Sequence, residues 1–162
     1  MKTTLFTLVL SFSLLMISCK KETKAITNDT IETLKNNEGN HCFLYIMENT
    51  YEVEGKKITD KDYISINLKI ENSNVNGSYK VTSKEGIVSD GDFSGSIEKN
   101  IITGIQTYKS NGKVLKDEMV FKMDSIQISI LGGEKKLIDG VNMFVDKSKS
   151  DYMMQLPRVE CK

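Results

Sequence analysis

Residues able to act as nucleophiles, acids, bases or metal ligands are few and scattered in this chain. His41 and Cys42 are adjacent, the one place where an imidazole and a thiol could form a nucleophile and its base. Neighbours on a strand point to opposite faces, so the two side chains diverge, and His41 reads as a structural histidine at the start of a domain. Asp60-Lys61-Asp62 and Asp90-Gly91-Asp92 look like fragments of a calcium loop but lack the further oxygen ligands and the closing glutamate of one. Aspartate and glycine also suit tight turns, and both segments read as turns. Gly132-Gly133-Glu134-Lys135-Lys136 lacks the Gly-x4-Gly-Lys-Ser/Thr spacing that cradles phosphate and reads as a hairpin with a solvated edge. Met143, Met153 and Met154 read as core filling rather than as soft-metal ligands. With a single histidine and no catalytic constellation, the chain reads as non-enzymatic, without metal or cofactor.

Charge narrows the partners. Twenty-two basic and 22 acidic side chains leave no net charge over 162 residues. The pairs Lys56-Lys57 and Lys135-Lys136 stand isolated among acids, so no electrostatic groove for nucleic acid is expected. An apolar fraction of 39% suits a small half-buried sheet.

The N-terminus carries an address. After Lys2, the run from Leu5 to Ile17 contains only Thr, Ser and apolar residues, the pattern of a secretory signal and too short for a comfortable membrane span. Met16-Ile17-Ser18-Cys19 resembles the bacterial lipobox, in which a cysteine follows two aliphatic residues and a small one. The resemblance implies that residues 1–18 are a lipoprotein signal peptide and that Cys19 is lipidated on sulfur and on its new amino group. Several buried acyl chains at about 0.8 kcal/mol per methylene make such an anchor effectively permanent. Lys20 stands where an aspartate would retain a Gram-negative lipoprotein in the inner membrane, so the resemblance favours the outer membrane, on its periplasmic or its surface side.

Residues 19–41 then read as the lipidated cysteine and a flexible polar tether, with too few large apolar groups to offset their ordering entropy. Within it Asp29-Thr30-Ile31, and later Asp124-Ser125-Ile126, resemble a short O-glycosylation motif of some Gram-negative bacteria; a plain linker and a plain turn are the alternatives.

From residue 42 to 162 the hydrophobic period is two. Ile64, Ile66, Leu68 and Ile70 alternate with polar residues, as do Val75-Gly77-Tyr79-Val81, Phe93-Gly95-Ile97, Met119-Phe121-Met123 and Ile126-Ile128-Ile130. Asn72-Ser73-Asn74, Glu54-Gly55, Glu85-Gly86, Asp90-Gly91, Asn111-Gly112 and Gly132-Gly133 supply turn signals at the spacing of an antiparallel barrel or sandwich. A weak repeat, Ile70 to Gly77 against Ile97 to Gly104, places a glycine inside a strand twice, as where a strand curls in a small barrel. The predicted fold is therefore all-β: an antiparallel up-and-down meander of about eight strands closing into a small barrel, with a β-sandwich as the alternative.

The lipobox, the spacer, the Asn-x-Val-x-Gly and Asn-x-Ile-x-Gly hairpins and the closing Arg158-Val159-Glu160-Cys161 together resemble a group of small Gram-negative lipoproteins. Their plan is similar to eight-stranded lipoprotein barrels of the lipocalin-like and lysozyme-inhibitor types. The resemblance brings no activity with it, and the Ser-Gly-x-x-Tyr-like loop of a lysozyme inhibitor is missing from the sequence.

Setting the lipidated cysteine aside leaves Cys42 and Cys161, an even number in a compartment that permits disulfides. In a closed meander the first and last strands are neighbours, so the two are expected to pair; two free buried thiols are the alternative. The functional expectation is a membrane-anchored binding module of the cell envelope, for a small apolar ligand or an envelope protein partner. A structural or envelope-assembly lipoprotein and an inhibitor of an envelope-directed enzyme are the alternatives.

Overall fold

A computed structural model describes residues 37–162. The signal peptide, Cys19, Asp29-Thr30-Ile31 and nearly all of the expected tether lie outside the described residues. Ten strands follow in order: β1 (Gly39–Val53), β2 (Lys56–Glu71), β3 (Asn74–Ser83), β4 (Gly86–Glu98), β5 (Ile101–Ser110), β6 (Lys113–Met123), β7 (Gln127–Gly132), β8 (Lys135–Ile138), β9 (Val141–Phe144) and β10 (Asp151–Val159). Strands β1 to β7 pair with their sequence neighbours, and β10 joins β7 to β1, closing an eight-stranded antiparallel barrel of meander topology. β1 starts three residues before the expected boundary at Cys42.

Period-two patterning does the packing. Ile64, Ile66, Leu68 and Ile70 of β2 are buried while the residues between them are exposed or half-buried. They join Phe43, Val75, Phe93, Ile97, Ile102, Phe121, Met123, Ile128 and Leu156 in one core that fills the barrel. Phe93 and Phe121 cross its middle with ring centroids 5.2 Å apart, tilted by 55°, a favourable aromatic geometry. The two-residue turns at Glu54-Gly55 and Asn111-Gly112 have positive φ at both positions, the mirror-image turn whose twist matches that of a hairpin.

Both repeat copies form equivalent hairpins, β2–β3 and β4–β5, at the same end of the barrel. The wall curls at their glycines: Gly95 and Gly104 face each other across β4–β5, where an added Cβ on Gly104 would collide with the Ser94 carbonyl oxygen.

Several local expectations are corrected. Asp90-Gly91 is not a turn but lies inside β4, since Gly91 is needed for close approach to Tyr108 and Gln106 rather than for chain reversal. Asp60-Lys61-Asp62 lies inside β2. Gly133-Glu134 does not reverse β7 into a hairpin; it leads to β8, which pairs with β9 and forms the free edge that carries Lys135-Lys136. Ile126 is a turn residue, 71% exposed, rather than a strand residue. Among the methionines Met154 packs on the core, whereas Met153, its neighbour on β10, points to the other face and is exposed.

The β8–β9 hairpin covers the outside of β6. Phe144 packs on Val120 and Leu131 there, so Val120 is buried although it points away from the barrel's interior. Glu118 beside it is buried yet satisfied: its Oε2 accepts from the Phe144 N–H at 3.0 Å and its Oε1 lies 2.6 Å from the Lys147 ammonium.

Candidate functional site

The barrel has two unlike ends. At one, Asn37 and Glu38 tie the hairpin turns together: the Asn37 side-chain N–H donates to the Lys99 carbonyl at 3.0 Å, and Glu38 accepts from the Asn72 N–H at 2.9 Å. His41, on the inward face of β1, completes this closed end. Its Nε2–H donates to the Asn37 carbonyl at 2.8 Å, and its Nδ1 accepts from the Arg158 guanidinium at 2.8 Å. Those two bonds define a neutral imidazole protonated on Nε2. Arg158 also lies over the Phe43 ring, 5.3 Å from its centroid. His41 thus joins the first strand to the last, and Cys42 faces the other way, as expected for adjacent strand residues.

Burial lowers the His41 pKa below its ordinary 6.5, and the Arg158 charge lowers it further, against a rise from the Asn37 bond. The unfolded chain therefore takes up this proton more readily than the folded one. Stability contributed by the neutral imidazole is present above about pH 6.5 and is lost as pH falls below that value toward the folded pKa. Urea midpoints measured from pH 7.5 to 5 should fall, and the fall in that window should shrink in His41→Gln. An unchanged slope in the variant would assign the effect to other groups; Asp60, Asp124 and Asp146, whose pKa values are lowered, act only near and below their ordinary 3.8.

Outside the wall, β1 and the C-terminal tail are stapled by the Cys42–Cys161 disulfide, with α-carbons 5.3 Å apart. The tail from Val159 to Lys162 forms one side of an open groove of ≈ 960 Å³. The outward faces of β1, β2 and β3 form the rest, with Leu44, Ser65, Asn67 and Ser78 among the lining residues and Asp92 of β4 at the far side. Gly77 lets β3 press against β2 beneath it, since an added Cβ would collide with the Asn67 carbonyl. Asn40, Asn67 and Asn76 are exposed along the groove, each with an amide that both donates and accepts. Asn67 spends one donor weakly, on the Ser78 hydroxyl at 3.5 Å.

At the opposite end the hairpins splay. The β4–β5 ladder stops at Gly91 and Tyr108, beyond which the β3–β4 and β5–β6 hairpins part and carry Ile87, Val88 and Val114 at 60%, 65% and 60% exposure. Lys84 bridges two of the hairpins here, donating to the Tyr51 hydroxyl at 2.8 Å and to Asp60 at 3.0 Å; the Tyr51 hydroxyl, which donates to the Asp60 carboxylate at 2.6 Å, and then Lys84 hold that carboxyl below its usual range.

The disulfide pairing is as the cysteine count anticipated, and it brings both residues to the groove. The groove's amides and hydroxyls were not singled out in the sequence, where they are only the polar half of an alternating pattern. Among the described residues no group of three or more His, Cys, Asp or Glu is placed to hold a metal ion. Fold and site define a class: a small, filled, disulfide-stapled meander barrel with an external groove. Comparison with known protein families, curated proteins and solved structures gives no match to this chain.

Proposed function

We propose that this chain is a lipid-anchored, non-enzymatic binding module of a Gram-negative envelope, and that its groove holds an extended segment of an envelope protein partner. The observation that carries the reading is the groove itself: an open channel lined by amides and hydroxyls around Leu44 and the disulfide, beside a barrel interior already filled by side chains. An enclosed site buries most of a small apolar ligand, which is where its affinity comes from. An open groove cannot do so, and its exposed asparagines match the alternating donors and acceptors of a peptide backbone instead. The anchor at Cys19 would tether the chain through residues 20–36, and the first described residues, Asn37 and Glu38, lie at the barrel's closed end.

A second reading is favoured by Ile87, Val88 and Val114, which would dock an assembly partner or a target enzyme at the splayed end. Full-length chain carrying a photo-crosslinker at Ser65, irradiated in its own envelope, separates the two. A partner adduct lost in Asn67→Trp and retained in Val114→Asp supports the groove; the reverse pattern moves the site to the hairpin tips. In the same cells Cys19→Ala should abolish fatty-acid labelling and release the chain from membranes, and a variant that stays labelled overturns the anchor.

A further inference from the structure

Between β6 and β7 the chain turns through Asp124-Ser125-Ile126, and this turn is held from every side. The Asp124 carboxylate accepts from the backbone N–H of Ile126 at 2.9 Å and of Gln127 at 2.8 Å. The Asp124 N–H donates to the Gln127 carbonyl at 3.0 Å. Arg158 of β10 closes the remainder: its guanidinium donates to the Asp124 carbonyl at 3.1 Å and its backbone N–H to the Ile126 carbonyl at 2.8 Å. What this scaffold leaves free is specific. Ser125 is exposed and, among the described residues, its hydroxyl has no hydrogen-bond partner; the Ile126 side chain beside it belongs to neither hydrophobic cluster. A rigid turn thus presents one hydroxyl flanked by a fixed carboxylate and an unpacked aliphatic group. This is the triplet whose sequence resembles an O-glycosylation motif.

We propose that Ser125 is an O-glycosylation acceptor, recognised through Asp124 and Ile126, and that the donor is a sugar carried on a polyprenyl diphosphate. The Ser125 oxygen forms a bond to the anomeric carbon as the bond from that carbon to the diphosphate breaks. The polyprenyl diphosphate leaves with the electron pair, and the hydroxyl proton passes to a base of the transferase. The proposal rests on the export half of the reading above: beyond the inner membrane a membrane-held diphosphate sugar is the activated donor, whereas nucleotide triphosphates for phosphorylation stay in the cytoplasm. Rigidity matters because a presented hydroxyl costs the transferase little ordering entropy.

Top-down mass spectrometry of full-length chain purified from its native membranes tests this. A saccharide mass localised to residues 124–126, lost in Ser125→Ala and kept in Ser125→Thr, is expected. Ile126→Ser, which keeps the turn's backbone bonds, should reduce occupancy several-fold at an unchanged melting temperature. An unmodified Ser125, a phosphate there, or sugar on Thr30 alone overturns the proposal. The cleavage state after Ser18, read in the same spectrum, tells whether the export reading falls with it.

Discussion

Replacing Cys42 and Cys161 together by serine is expected to destabilise the barrel by about 2–5 kcal/mol. The bridge closes a loop of 119 residues, for which the chain-entropy argument gives about 4–5 kcal/mol. The native contacts point the same way, because the seam it guards is thin. β1 and β10 share only two ladder pairs, Cys42 with Val159 and Phe43 with Arg158, whereas β1 and β2 pair over fifteen. Without the staple, that seam depends on the Arg158–His41 hydrogen bond and the stacking of Arg158 on Phe43. At roughly 3–6 °C per kcal/mol for a domain of this size, the melting temperature should drop by about 6–30 °C. Hydrogen exchange should quicken first at Cys42, Phe43 and Val159, and the groove should lose the wall formed by the tail. A double variant that melts with the native protein would show that the staple constrains nothing that matters.

Leu68→Asp should be worse still. Leu68 is buried in the filled interior, in the same core cluster as Phe43, Ile66 and Ile70 and opposite His41 and Gly77 in the ladders. A carboxylate there replaces an apolar side chain in a cluster of apolar side chains, and the desolvation cost is several kcal/mol. Against a total stability of about 5–15 kcal/mol, the variant approaches unfolding. Lys69→Asp, one residue along, changes an exposed side chain whose ion pair with Glu71 is itself exposed. Such pairs contribute little, and the expected cost is about 0.5 kcal/mol or less. Circular-dichroism melts of the two variants read the contrast directly; equal melting temperatures would mean that β2 does not face the core as described.

How much was legible differs between fold and site. The alternation in β2 is written in Ile64, Ile66, Leu68 and Ile70, and hydrophobic burial acts on that pattern whatever the neighbouring strands do. The turns at Glu54-Gly55 and Asn111-Gly112 are local choices of backbone conformation, made by residues that tolerate positive φ. Closure followed from counting strands and from glycines placed where a strand curls, and the pairing of the two remaining cysteines followed from closure. Asp90-Gly91 misled because a glycine that permits a turn and a glycine that permits close strand contact are the same letter. The β8–β9 hairpin was missed because Lys135-Lys136-Leu137-Ile138 is too short, and too charged at its start, to declare a strand before β9 pairs with it.

Local patterning therefore determined which residues face inward and where most hairpins turn, since each depends on spacing along the chain, whereas the meeting of Cys42 and Cys161 across 119 positions needed closure as well. Tertiary structure alone decided that Asn40, Asn67, Asn76 and the C-terminal tail border one groove, that Arg158 meets His41 across 117 positions, and that Asp124 and Arg158 together fix Ser125 in the open. Those juxtapositions depend on barrel register and closure, set by the summed packing of every strand, and no local stretch of sequence carries that sum.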